Sequence, residues 1–199
     1  GRYSLHVPTT AVKRFFGCVA GATTFAPRYN IAPTQLAPVV TGHNGGAPNL
    51  SLMQWGLTPA WSTSSNNVYS MFNARGETVA TKPAYRDAYR ERRCLVPADG
   101  FYEWKKQGNI KKPYRISLIN EEILAFAGLW ERQENGPASV TDSFTILTAP
   151  ANSLISPIHA RMPVILPPET HTDWLSGSEL EPLLSPYPAE KMSTYPLDS

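Results

Sequence analysis

Runs of apolar residues predict strands over most of the second half of the chain. Turn-forming residues separate the runs, as is typical of sheets built from neighbouring strands. The runs are CLVPADG (94–100), GFYEWKK (100–106), PYRISLI (113–119), ILAFAGLW (123–130) and SFTILTA (143–149). The polar stretch KKQGNIKK (105–112), which contains a glycine, predicts a hairpin turn between two of them.

Helical spacing is confined to short segments that begin or break at proline. They are PTTAVKRFF (8–16), FNARGETVATKPAYRDAYRERR (72–93) and PPETHTDWL (167–175). The first places Val12, Phe15 and Phe16 on one side of a helix. Because proline interrupts a helix, the second predicts two short helices broken at Pro83. The third predicts a final helix that begins near Pro168.

Two further strands and two loops complete the first half of the chain. LAPVVT (36–41) and LSLMQWG (50–56) predict strands, while GCVAGATTFAPRYNIAPTQ (17–35) and TPAWSTSSNNVYS (58–70) predict irregular loops. A chain of 199 residues without a linker or internal repeat predicts one domain over residues 1–199. The expected fold class is α+β, with short helices flanking a mixed or antiparallel, barrel-like sheet.

Composition narrows the function classes. The formal net charge is only +2, so a nucleic-acid partner must be met by a local basic patch. The two cysteines, Cys18 and Cys94, form no metal-binding or disulfide pattern, and the four histidines lack metal-site spacing. We therefore predict no metal and no cofactor. No run spans a bilayer and no stripe requires an oligomer, so we predict a monomer in a reducing, cytoplasmic setting.

Basic and aromatic residues suggest contact with unpaired nucleotides. Lys82, Arg86, Arg90, Arg92 and Arg93 gather around one predicted helix, and Trp55, Trp61, Trp104 and Tyr102 could stack on bases. This combination favours single-stranded nucleic acid over a duplex, for which we find no recognition element. A solvated helix with salt bridges remains the alternative interpretation of the basic residues.

Glu103 and His159 form the best candidate acid–base pair. Strand alternation places Glu103 on the same face as Phe101, away from Tyr102 and Trp104. A partly dry site would raise the pKa of the carboxyl and let it shuttle protons near neutrality. Two other interpretations stay open at this point, since Glu103 could point into solvent and His159 could be structural.

Seven motifs, taken together, resemble the SOS response-associated peptidase family, which includes abasic-site shielding proteins. They are GRY (1–3), RYNIAPTQ (28–35), WGLTPAW (55–61), FNARGET (72–78), RRCLVPADGFYEW (92–104), FAGLWE (126–131) and IHARMP (158–163). The resemblance implies recognition of abasic sites in single-stranded DNA, or at junctions with duplex. It also implies covalent capture by an N-terminal cysteine, expected just before Gly1 and exposed by removal of the initiator methionine.

The same resemblance assigns roles to individual residues. Asn73 would orient the amine and sugar, Glu103 would shuttle protons, and His159 would assist ring opening and reversal. Arg2, Arg75 and Arg161 match positions that hold phosphates or brace the site, and Pro33, Trp61 and Trp104 match positions near the bases. Arg86 joins this DNA-binding set from the basic helix. A peptidase acting mainly on polypeptides, or a non-covalent single-strand binder if the cysteine is absent, remains an alternative.

Overall fold

The computed structural model of the chain describes residues 1–19, 21–43, 45–62, 71–134 and 140–198. The strands are β1 (Arg2–Leu5), β2 (Arg28–Ile31), β3 (Leu36–His43), β4 (Gly46–Trp55), β5 (Asn73–Arg75), β6 (Arg93–Ala98), β7 (Gly100–Gln107), β8 (Ile110–Leu118), β9 (Leu124–Glu134), β10 (Val140–Pro150), β11 (Arg161–Pro163) and β12 (Met192–Pro196). The α-helices are α1 (Thr9–Phe16), α2 (Arg86–Glu91) and α3 (His171–Ser176), and 3-10 turns cover Pro168–Thr170, Glu181–Leu184 and Ala189–Lys191.

The larger sheet has seven strands and runs in the order β11-β10-β4-β3-β6-β9, with β5 paired beside β10. Its pairs are antiparallel except that β10 runs parallel to β4 and to β5. Strand β9, at the far end of this order, also pairs with β10. This pairing brings the two ends of the sheet together and makes the sheet curl. The predicted α+β class with a mixed, barrel-like sheet is therefore confirmed.

The smaller sheet is antiparallel, has five strands and runs in the order β12-β8-β7-β1-β2. Arg2 of β1 lies opposite Tyr102 of β7, so the start of the chain is carried to the neighbourhood of Glu103. Glu103 in turn lies opposite Tyr114 of β8. The register of this sheet therefore decides which side chains surround the first residue.

The two sheets share one hydrophobic core, in which aromatic rings provide the central contacts. The ring of Tyr3 lies 5.2 Å from that of Trp55 and 5.7 Å from that of Phe126, both edge to face. Phe101 also contacts Phe126, with the ring centroids 5.9 Å apart. Such edge-to-face pairs add to the stability gained by burial alone. The inner face of β1 is thus packed against both sheets.

Asp99, a buried residue between β6 and β7, fixes the position of β1. This nearly buried carboxylate accepts hydrogen bonds from the Ser4 hydroxyl at 2.5 Å and from the His6 backbone N–H at 2.5 Å. The His6 ring lies 2.8 Å from it, and the Arg115 guanidinium lies 3.3 Å from it. Because a buried carboxylate needs several such partners, this cluster holds the register of β1 against β7.

The structure corrects two predictions of local structure. Residues 72–93 form only one of the two expected helices, α2, because Asn73–Arg75 is a strand that pairs in parallel with β10. The predicted loop at residues 17–35 contains strand β2, which pairs with β1. The hairpin turn, helix α1 and the final helix are confirmed. Among the described helices, none has the length and apolar content needed to cross a membrane.

Candidate active site

A pocket opens where the two sheets meet, beside the first residue of the chain. Six residues that the sequence analysis singled out line this pocket: Gly1, Arg2, Asn73, Glu103, His159 and Arg161. Gly1 precedes β1, and the other five come from β1, β5, β7, β11 and the turn before β11. Residues far apart in the chain therefore converge on one small space, which is the arrangement that the family resemblance implies.

Gly1 lies against the indole of Trp55, a residue that is 2% exposed. A Cβ added to Gly1 would lie 3.6 Å from Cη2 of that ring. The ring is itself fixed, because its Nε1–H donates a hydrogen bond of 2.8 Å to the carbonyl of Phe72. Burial lowers the pKa of the Gly1 α-amino group, although the Glu103 carboxylate opposes this effect. In a chain that begins at Gly1, this amine is thus more often unprotonated than one in water.

Glu103 points into the pocket and not into open solvent. It follows Phe101, which is buried in the core, on the same face of β7. Burial raises the pKa of the Glu103 carboxyl, while the positive charges of His159 and of the N-terminal amine partly offset the rise. Such a carboxyl can both donate and accept a proton nearer to neutrality than an exposed one.

His159 is held by the backbone of Arg161. The Arg161 N–H donates to His159 Nδ1 at 3.0 Å, and the Arg161 carbonyl oxygen lies 3.0 Å from the same nitrogen. Nδ1 therefore has both a donor and an acceptor within reach, and the tautomer of the ring decides which of them it uses. These two backbone contacts fix the orientation of the imidazole at the pocket.

Arg161 forms a two-pronged ion pair with Glu77. Its Nη1 and Nη2 atoms lie 2.5 Å and 2.9 Å from the two oxygens of Glu77, and Nη2 also donates to the carbonyl and hydroxyl of Thr148 at 3.0 Å. The hydrogen bonds from Arg161 lower the pKa of the Glu77 carboxyl to about 2. Of the two roles that the resemblance offers, this geometry favours a brace over a phosphate ligand.

The polar residues at the pocket rim are less constrained. Arg2 is exposed, and its Nη1 donates to Oδ1 of Asn30 at 3.2 Å. Asn73 and Arg75 are both exposed and lie two residues apart on β5, so they share a face. Within the described part of the chain, the Asn73 side-chain amide has no hydrogen-bond partner. Its donors and acceptor are therefore available to a bound molecule.

Five predicted DNA contacts lie outside the pocket lining: Pro33, Trp61, Arg75, Arg86 and Trp104. Trp61 is 70% exposed and Trp104 is 36% exposed, so both can meet a ligand from solution. Arg86 lies on α2, where its Nε is 3.9 Å from the carboxylate of Asp87. DNA contact by these five residues stays a prediction.

The structure contradicts part of the nucleic-acid interpretation. Trp55 is buried and forms a wall of the pocket, so it cannot stack on bases as an exposed ring. Arg93 is also buried, and its guanidinium donates to four carbonyl oxygens, those of Trp174, Tyr89, Arg90 and Gly177. Arg92 pairs with Glu131, and Arg90 with Asp87 and Glu91. Arg90 and Arg92 thus form salt bridges of the kind that the alternative interpretation expected, whereas Arg93 is buried and not solvated.

Several pocket walls were not singled out as site residues in the sequence. Tyr3, Phe126, Ile146 and Met162 line the pocket from β1, β9, β10 and β11. Their spacing indicates only a buried face, and nothing in the sequence distinguishes a core position from a pocket wall. Both cysteines are poor nucleophile candidates, because burial raises the pKa values of the Cys18 and Cys94 thiols. No group of metal-binding side chains exists among the residues that the structure describes.

Comparisons with known proteins match this chain over most or all of its length. The family model described as SOS response associated peptidase (SRAP) matches residues 1–199. The abasic site processing protein YoqW of Bacillus subtilis strain 168 is 40% identical over 182 residues, which cover 88% of this chain and 80% of the relative. YoaM, an abasic site processing protein of the same strain, is 39% identical over 183 residues, covering 88% and 79%. A crystal structure of a Bacteroides thetaiotaomicron protein has a TM-score of 0.89 at 28% identity, covering 99% of this chain and 91% of that one.

Proposed function

The chain belongs to the SOS response associated peptidase family, and on this premise we propose that it captures abasic sites in single-stranded DNA covalently. The nucleophile is a cysteine placed immediately before Gly1. The observation that carries the proposal is the convergence of Gly1, Asn73, Glu103 and His159 on one pocket. A residue joined to Gly1 would therefore lie next to the three groups that the reaction needs, which are the Glu103 carboxyl, the Asn73 amide and the His159 imidazole.

The proposed reaction loses one molecule of water. The α-amine attacks the aldehyde carbon of the open-chain sugar and forms a carbon–nitrogen bond, while its proton reaches the aldehyde oxygen. Departure of that oxygen as water leaves a Schiff base. The cysteine sulfur then adds to the imine carbon, its proton passes to the nitrogen, and a thiazolidine ring closes. The ordinary pKa of an α-amine, about 7.7–8.0, supplies far more free base at pH 7 than a lysine.

Glu103 carries the proton transfers in this proposal. In its ionised form it removes a proton from the attacking amine, and in its protonated form it donates one to the departing hydroxyl. A carboxyl with a raised pKa populates both forms closer to neutral pH, which supports this role. The unpaired amide of Asn73 holds the sugar and the amine in register. His159 assists ring opening and, in the reverse direction, release of the link.

The DNA strand follows the exposed rim in this proposal. Arg2, Arg75 and Arg86 contact phosphates, Arg161 braces the wall, and Pro33, Trp61 and Trp104 lie near the bases. The substrate is single-stranded DNA or its junction with duplex, and the protein acts as a monomer in the cytoplasm, associated with DNA. We propose that one family domain spans residues 1–199.

Covalent capture is tested with two forms of the chain, one with an exposed cysteine before Gly1 and one beginning at Gly1. Each is incubated with an abasic oligonucleotide and with an intact one, then separated under denaturing conditions. We expect a stable shifted band only for the cysteine form with the abasic strand. For the Gly1 form we expect an imine that is trapped only by borohydride. The absence of a shifted band for the cysteine form would contradict the proposal.

Self-processing is a second activity, favoured by the position of Glu103 beside the chain's first residue. A carboxyl there can assist hydrolysis of the peptide bond before the cysteine. We expect Glu103→Gln protein expressed with Met-Cys before Gly1 to retain the methionine in intact mass spectra, while the parent loses it. If both forms lost the methionine, Glu103 would be excluded from this step. Cleavage of unrelated peptides by the parent would instead favour a general peptidase.

A further inference from the structure

The hairpin β7–β8 extends beyond the sheet that contains it. Strand β1 pairs with β7 only as far as Tyr102, and β12 pairs with β8 from Leu118 to Tyr114. Residues 105–112 therefore have ladder partners only within the hairpin, as far as the described chain shows. We define these residues as the arm. A two-stranded ribbon is marginally stable by itself, so its extension past the sheet calls for an explanation.

Four lysines face each other across the arm. Lys105 lies opposite Lys112, and Lys106 lies opposite Lys111. Like charges placed directly opposite in a sheet are destabilising. In the described part of the chain, none of the four forms an ion pair. Asp198 follows Leu197, whose N–H bonds to the Pro113 carbonyl, but it does not pair with them. The arm thus keeps unneutralised charge at the expense of its own stability.

The arm begins at the pocket. Lys105 is two residues beyond Glu103 on the same strand and the same face, which is roughly 7 Å at the usual rise of a strand. Lys106 shares the other face with Trp104, a partly exposed ring. The whole ribbon from Glu103 to Gln107 reaches about 13 Å from the pocket. Its ammonium groups are therefore within a few nucleotides of any sugar bound at Glu103.

We propose that the arm binds the phosphodiester backbone of the DNA strand flanking the abasic site, on one side of it only. This inference rests on the proposed function and adds a contact that the pocket residues do not supply. Lysine suits the task because it is a mobile point charge that attracts phosphate without reading sequence. The charge is complementary to DNA, and the ribbon is continuous with the strand that carries Glu103.

The test compares two double variants with a matched control. Lys105→Gln/Lys112→Gln and Lys106→Gln/Lys111→Gln each remove one facing pair. Arg14→Gln/Lys191→Gln removes the same charge from exposed positions remote from the arm. Binding of an intact single strand is measured as salt rises tenfold. Two lost phosphate contacts reduce the salt slope by about 1.4, so the affinity ratio of parent to variant shrinks by roughly 25-fold over that range.

A second measurement separates charge from structure. We expect both arm variants to melt at or above the temperature of the parent, because the facing charges repel. We also expect the affinity difference to require flanking nucleotides on one side of the abasic site. An arm whose variants melt earlier, or bind DNA like the control, would overturn this inference. If the parent bound neither an intact nor an abasic strand, the proposed function would fail as well. If the parent captured abasic DNA and the arm variants bound and captured it equally well, only the arm would be wrong.

Discussion

Two carboxylates near the pocket have pKa values displaced in opposite directions. Glu103 lines the pocket, and burial raises the pKa of its carboxyl. Glu77 holds Arg161, and this contact lowers the pKa of its carboxyl to about 2. Glu103 has positive neighbours that only partly offset its burial, whereas Glu77 has a guanidinium in direct contact and a side chain that is 46% exposed. One carboxyl can thus exchange protons, while the other stays charged and fixes a wall.

The largest expected effect follows from replacing Glu103, the carboxyl that can exchange protons. We expect Glu103→Gln to slow capture of abasic DNA by about 10²–10⁴-fold, the usual contribution of a positioned acid–base group. The measurement is the initial rate of formation of the denaturation-resistant band. Glu122→Gln, at an exposed position, is the control and should retain the parent rate. A Glu103→Gln rate within threefold of the parent would mean that another group moves the protons.

The second test removes the charge of Glu77. Because the side chain is nearly half exposed, solvent screening limits its stabilising effect to about 0.5–1 kcal/mol. The pKa of Glu77 is lowered from 4.5 to about 2, so this contribution is present above pH 4.5 and is lost as the pH falls toward 2. We expect Glu77→Gln to unfold at lower urea than the parent at pH 7, with a difference that shrinks below pH 4.5. A difference that did not change with pH would point to lost packing.

The smallest expected effect is on the stability of Glu103→Gln. The pKa of Glu103 is raised from 4.5, so the native state is favoured by protonation below that pH, and this benefit is lost as the pH rises through the native pKa. We expect the Gln variant to be at least as stable as the parent at pH 8 and equal to it at pH 4. Urea unfolding at the two pH values is the measurement. A variant less stable at pH 8 would show that ionised Glu103 is well solvated or paired.

The sequence predicts the Glu103 side of this comparison better than the Glu77 side. Strand β7 spans eight residues, so alternation alone places Glu103 on the same face as Phe101, although only the structure shows that this face points into the pocket. Strand β5 has three residues and pairs with β10 through Ile146, which is distant in sequence. A pattern that short cannot outweigh the helical propensity of its neighbours. Long-range pairing, which forms part of the pocket, is absent from the local signal.

The sequence also fails to predict which large polar or amphipathic side chains are buried. Trp55 and Arg93 belong to types that often lie at surfaces, and both were interpreted as possible nucleic-acid contacts. In the structure their polar atoms bond to backbone carbonyls that later elements provide, such as Phe72 and Trp174. These partners depend on the tertiary arrangement. The sequence therefore identifies such residues as important without deciding between core and ligand.

The position of Gly1 against Trp55 has a practical consequence for recombinant work. Strand β1 is paired on both sides, with β2 and β7, so its first residues cannot be displaced without opening two ladders. A purification tag fused ahead of Gly1 would start at the pocket that Gly1 lines and would compete for its space. Tags and fluorophores belong at the opposite terminus, beyond β12 at the edge of the smaller sheet.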